Sequence, residues 1–170
     1  MKKFFTLIVA TLMASSMMAQ MHGAMTFAGA SSVNVLTQNT RNACDTVRFE
    51  MASMSAGNIT LPVMQGMAAI PSFTIENVAF SKGENHVISI AEQTFTSKVT
   101  VNGEEKNIEG SSISGSYNMA DNSLTLKAVF KYGSMPFDLT YEVKAYYVKP
   151  VGQAPSRLTW AEPSSMATTE

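Results

Sequence analysis

Cys44 is the only cysteine in this chain of 170 residues, and His22 and His86 are its only histidines. A reactive thiolate needs an imidazole or another positive neighbour to activate it. Neither histidine is near Cys44 in sequence and no catalytic signature surrounds it, so Cys44 is expected to be a half-buried strand thiol. Two isolated histidines also fall short of the three or four converging ligands that zinc requires. The 13 methionines raise the chemistry of axial haem ligation, but five of them (Met1, Met13, Met17, Met18, Met21) belong to the N-terminal segment or its edge and the rest are scattered. Their expected role is adaptable packing. No cofactor, no metal site and no enzymatic activity are expected. The aromatic residues Phe49, Phe95, Tyr117, Phe130, Phe137 and Tyr141 are instead candidate wall residues for a small hydrophobic ligand, because such pockets are lined by aromatic and aliphatic side chains with a few polar groups. The same six rings also suit a filled core.

The elements that would carry these rings follow from a two-residue rhythm. From Met135 to Tyr147 every odd position is apolar, while Asp138, Thr140, Glu142 and Lys144 lie between. Successive side chains of a strand point to opposite faces, so the pattern predicts one long strand with Leu139 and Val143 inward and Thr140 outward. The same rhythm recurs in Leu124, Leu126, Ala128 and Phe130, in Phe95, Val99 and Val101, and in Val47, Phe49 and Met51. Polar or glycine-bearing turns separate these runs: Asn39 to Asn42, Ser55 to Asn58, Lys82 to Asn85, Ala120 to Asn122 and Tyr132 to Ser134. Asn102-Gly103 is the clearest hairpin signal, since both residues tolerate the positive φ of a type I′ turn. Pro62 marks an edge, a strand end or a bulge, and Gln65 to Pro71 a loop. No helical period is sustained beyond the N-terminal segment.

Eight to ten short-looped antiparallel strands can close as a sandwich or a barrel. The length of the last strand favours an all-β antiparallel meander closed into a barrel of about eight strands, which also removes exposed edges.

At the N-terminus, Lys2 and Lys3 precede an apolar stretch from Phe4 to Met13, broken only by Thr6 and Thr11, and then the small residues Ala14, Ser15 and Ser16. This is the pattern of a secretory signal peptide over residues 1–19, cut after Ala19 to leave Gln20 first. About ten apolar residues are too few to cross a bilayer as a helix, which takes roughly 20. No cysteine stands at the boundary to carry a lipid anchor, and the product is expected to be periplasmic or extracellular. With the leader gone, 10 basic residues face 13 acidic ones. The lysines alternate with acids along the strands, so no nucleic-acid surface is expected. A lone cysteine cannot form an intramolecular disulfide, and the fold must rest on its apolar core even in an oxidising compartment.

Residues 20–149 form one domain, of a size to bury a single core. Residues 150–170 differ: Pro150, Pro155 and Pro163 interrupt a Ser/Thr/Ala-rich stretch, expected to be a tail, within which Arg157-Leu-Thr-Trp160 is the exception.

The block Asn58-Ile-Thr-Leu-Pro-Val, the segment Phe73-Thr-Ile-Glu-Asn-Val, and Gly115-Ser-Tyr through Leu124-Thr-Leu-Lys-Ala-Val-Phe-Lys-Tyr-Gly-Ser-Met-Pro-Phe, behind the leader, resemble the calycin-like domains of exported Bacteroidetes proteins, over residues 25 to 149. The resemblance implies a lipocalin-like barrel and carries over no catalytic residue. The early Gly-X-Trp of classical lipocalins is missing, since the only tryptophan is Trp160. Three functions are consistent with these features: an exported, non-catalytic barrel holding a small hydrophobic ligand; a filled barrel meeting a protein partner at the cell envelope; and an eight-stranded outer-membrane barrel with its apolar face toward lipid.

Overall fold

The computed structural model describes residues 23–66 and 69–150. The leader, the new N-terminus at Gln20, and Trp160 with the rest of the C-terminal stretch from 151 on lie outside the described residues.

Nine strands form one antiparallel sheet: β1 (Ala24–Val35), β2 (Gln38–Met51), β3 (Ala56–Leu61), β4 (Phe73–Ala79), β5 (Ser81–Lys82), β6 (Val87–Val101), β7 (Glu104–Asn118), β8 (Ser123–Tyr132) and β9 (Leu139–Val148). Their order is β4-β3-β2-β1-β9-β8-β7-β6-β5. Only Phe80 separates β4 from β5 in the chain, so the two ends of the sheet are nearly one extended segment that pairs with β3 on one side and β6 on the other. That continuity curls the sheet into a nearly closed barrel. The expected fold class holds, with nine strands rather than eight, because the short β5 carries the closure.

The alternation on β9 sorts its residues as the sequence predicts. Leu139, Tyr141, Val143 and Ala145 are buried, whereas Glu142, Lys144 and Tyr146 are exposed. The strand, however, starts at Leu139 and not at Met135. Its pairing with β1 and β8 begins at Val35↔Leu139 and Phe130↔Leu139, and Met135 to Asp138 belong to the preceding loop. Phe137 is therefore not a strand residue; it packs half-buried against the core from that loop.

Several boundaries move for identifiable reasons. Asn39 to Asn42 are strand, not turn, and the β1–β2 turn falls at Leu36-Thr37, with Leu36 at φ 53°. The first seven residues of β2 are exposed because β3 pairs with β2 only from Arg48 to Met51, which leaves nothing to impose alternation. Cys44 lies in this overhang and is exposed, not half-buried. The Asn102-Gly103 hairpin is as expected, with φ of 52° and 82°. Bulges between Ile90 and Phe95 on β6, and between Gly110 and Ser112 on β7, break the sequence rhythm without ending either strand.

The interior is one apolar core. Tyr141, Phe27, Phe130, Leu61, Ile75, Ile108, Ile113, Leu126 and Val47 are among its fully buried side chains. The loop after β3 adds to it. Met64 and Ile70 exchange backbone hydrogen bonds of 2.9 and 3.0 Å, and both side chains are buried.

Candidate functional site

Five of the six aromatic wall candidates converge inside the barrel. Phe49 on β2, Phe95 on β6, Tyr117 on β7, Phe130 on β8 and Tyr141 on β9 are all buried, each at an inward position of its strand. Phe137, on its loop at one end, does not join them. The rings meet one another. Phe130 stands edge-on to Phe73 at a centroid distance of 5.3 Å and 6.2 Å from Phe95, Phe27 stands edge-on to Tyr117 at 5.1 Å, and Phe49 to Phe80 at 5.7 Å. Such geometry contributes beyond the burial of area.

Glycines make room for these rings. A Cβ on Gly110 would lie 2.1 Å from Cε1 of Phe95 on the paired strand, and one on Gly57 would lie 2.6 Å from Phe49. The aromatic side chain thus covers the bare backbone of its neighbour, a device that lets a barrel strand bend without exposing the bend.

Among the described residues the interior also holds a charged group that the aromatic pattern does not foretell. Asp45 occupies an inward position of β2, in phase with Val47 and Phe49, and is buried. Its carboxylate accepts hydrogen bonds from Ser31 Oγ, from Asn42 Nδ2 and, at 3.4 Å, from Tyr141 Oη. Ser31 is inward on β1 in the same parity as Phe27 and Val33, beside the irregularity where β2 carries an extra residue between Asn42 and Asp45. Burial, and then the negative charge of Asp45, push the Tyr141 phenol well above its ordinary value, so it remains a protonated donor. A buried carboxylate is tolerable only with such partners, and among the described residues no buried side-chain polar atom is left without one. The signal available in sequence was the acid itself, in register with an inward apolar run.

Tyr117 donates to Asn122 Oδ1 at 3.1 Å, near one end of the barrel. Its phenol is also raised, first by burial and then by Tyr147 and Asp121. Among the described residues no three His, Cys, Asp or Glu side chains approach closely enough to hold a metal ion, and no helix is long and apolar enough to cross a membrane.

The seam between β4 and β6 is closed by side chains. Gln93 receives the Ala79 N–H on Oε1 at 2.9 Å and donates Nε2 to the Ala79 carbonyl at 2.8 Å, reproducing the paired bonds of a strand neighbour. Further along, Ser97 Oγ donates to the Thr74 carbonyl at 2.6 Å. Beside this seam a cleft of about 840 Å³ opens, with Glu76, Lys98 and Glu109 among its lining residues. The outer wall is polar and laced with exposed ion pairs, Lys98–Glu105 at 2.7 Å and Lys127–Glu142 at 3.2 Å.

No protein-family model and no curated protein sequence matches this chain. Among solved structures it is similar to the crystal structure of a "putative outer membrane protein" from Bacteroides fragilis, with a TM-score of 0.57 and 20% sequence identity over 74% of this chain. The chain spans 50% of the length of that protein. At this identity the likeness shows a shared fold.

Proposed function

We propose that this protein is an exported, non-catalytic barrel of the cell envelope that acts through its outer surface and ends, as an interaction protein, and does not carry a ligand in its interior. The observation that carries this reading is the packing of the candidate wall. Tyr141 and Phe130 are fully buried, and four of the candidate rings are already packed against other rings: Phe95 on Phe130, Phe130 on Phe73, Tyr117 on Phe27 and Phe49 on Phe80. The calycin-like reading rests on the sequence motifs and agrees with a closed antiparallel barrel. An envelope location is supported by the leader pattern and by the description of the structurally similar Bacteroides protein. Against a barrel embedded in lipid stand the apolar interior and the Lys–Glu pairs of the outer wall, since a membrane barrel carries its apolar band outside.

Truncating Tyr141 tests the reading. In a filled core, Tyr141→Ala costs about 3–5 kcal/mol in urea unfolding; beside an open pocket the loss is modest and binding of a fluorescent fatty acid weakens instead. Saturable binding of the fatty acid by the wild type, abolished in the variant with little loss of stability, would restore the ligand-carrier function.

A further inference from the structure

At the end of the barrel where the described chain begins and ends, the last inward-facing layer is made of thioethers and aromatic rings. Met25 lies two residues before Phe27 on β1, Met51 two after Phe49 on β2 and Tyr147 two after Ala145 on β9, so strand parity aims these three along the buried face, and Met119, in the turn just after β7, packs on the same core. Phe80, between β4 and β5, joins them. All five pack on the core yet stay half-buried. Met54, in the turn between β2 and β3 at this end, is 70% exposed. A methionine-rich apolar surface of this kind adapts to a partner and is seldom left bare on a soluble protein.

The chain itself supplies an occupant. β9 ends at Val148, paired with Thr26 on this same rim, and residues 151–170 continue from there. That stretch holds Leu158 and Trp160, the sole tryptophan, in otherwise Ser/Thr/Ala/Pro-rich sequence. Ten residues from Pro150 to Trp160 reach at most ~35 Å and average roughly 17 Å as a coil. The mouth of such a barrel is about 16 Å across for strands ~4.8 Å apart and tilted. A tethered segment of this length meets the rim at an effective concentration on the order of millimolar, so a weak contact is enough to hold it.

We propose that the Leu158–Trp160 segment docks on this end of the barrel, with the Trp160 indole seated against Met25, Met51, Met119 and Tyr147. Thioether sulfurs against an indole make favourable contacts. The docked segment converts the bare end into an internal interface, and this holds whether the interior beneath is filled or hollow.

Trp160, as the sole tryptophan, is its own probe. In the protein as exported, its emission is expected to be blue-shifted and shielded from acrylamide relative to the urea-unfolded chain, to the same degree at every protein concentration. Met119→Lys and Met51→Lys are each expected to return the emission to the red and raise the quenching rate several-fold. Met54→Asp, at a position too exposed to disturb the fold, is expected to move both in the same direction by less, and unchanged far-UV circular dichroism keeps the comparison to folded protein. Emission as red and as quenchable as in urea overturns the proposal. So does a blue shift that grows with protein concentration, which assigns the contact to a second copy, one lost on extraction of lipid, or one indifferent to all three substitutions.

Discussion

The ring of Phe95 lies over the bare backbone of Gly110 on the neighbouring strand, so close that a Cβ at Gly110 would fall 2.1 Å from Cε1. Phe95 in turn meets Phe130, which meets Phe73, so a row of rings crosses the interior from β6 to β8 to β4. The strand that bends and the aromatic that fills are thus parts of one arrangement. A ring held in this way has neighbours on several sides, which is why these aromatics serve the fold before they could serve a ligand.

Gly110→Ala is accordingly expected to destabilise the barrel by about 1–3 kcal/mol in urea unfolding, the cost of overpacking a core. The loss should shrink when Phe95→Leu is present, because the smaller side chain vacates the position of the added methyl. A double-mutant cycle measures it; strict additivity would place the strain elsewhere.

The buried phenol of Tyr141 predicts a stability that declines in alkali. Its folded value is raised above the ordinary 10.0, chiefly by burial. Below pH 10 both states keep the proton and stability is unaffected. Above it the unfolded phenol ionises first, and stability falls by about 1.4 kcal/mol per pH unit for one proton until the folded group also titrates. Tyr141→Phe is expected to flatten that decline, at the cost of roughly 0.5–1.5 kcal/mol near neutrality for the bond to Asp45. Chemical unfolding between pH 8 and pH 11 measures both, and an equal decline in the variant would assign the titration to other groups, Tyr117 first.

What was legible in sequence follows the range of each signal. The faces of β9 were readable from Leu139 onward because alternation is a property of adjacent residues, and Asn102-Gly103 because its turn depends on two. Met135 and Phe137 continue the same rhythm and are apolar for a different reason: they half-cover the barrel from a loop. Leu36 carries no turn signature, so the polar run at Asn39 looked the better turn, although it lies in the overhang of β2. Pairings that span the chain left no local trace. Tyr141 and Asp45 are 96 residues apart, and only the fold discloses that this phenol is one of the acid's donors.

Gln93 offers a local test of closure. The side-chain amide stands where a strand neighbour would be, bonded twice to the backbone of Ala79. The bulges on either side of Gln93 displace β6 from regular pairing, and the only strand that β4 pairs with among the described residues is β3. Without the amide, the Ala79 N–H on this edge has only water to bond. Gln93→Leu is therefore expected to cost about 1–3 kcal/mol for the two bonds and, more specifically, to accelerate hydrogen exchange at Ala79. Amides between β8 and β9, on the far side of the barrel, should slow or quicken only with global stability. Gln93→Asn, one methylene shorter, should behave like the leucine variant, since it cannot reach both atoms. Unchanged exchange at Ala79 in both variants would mean that the continuity of β4 into β5 closes the barrel without help from the side chain.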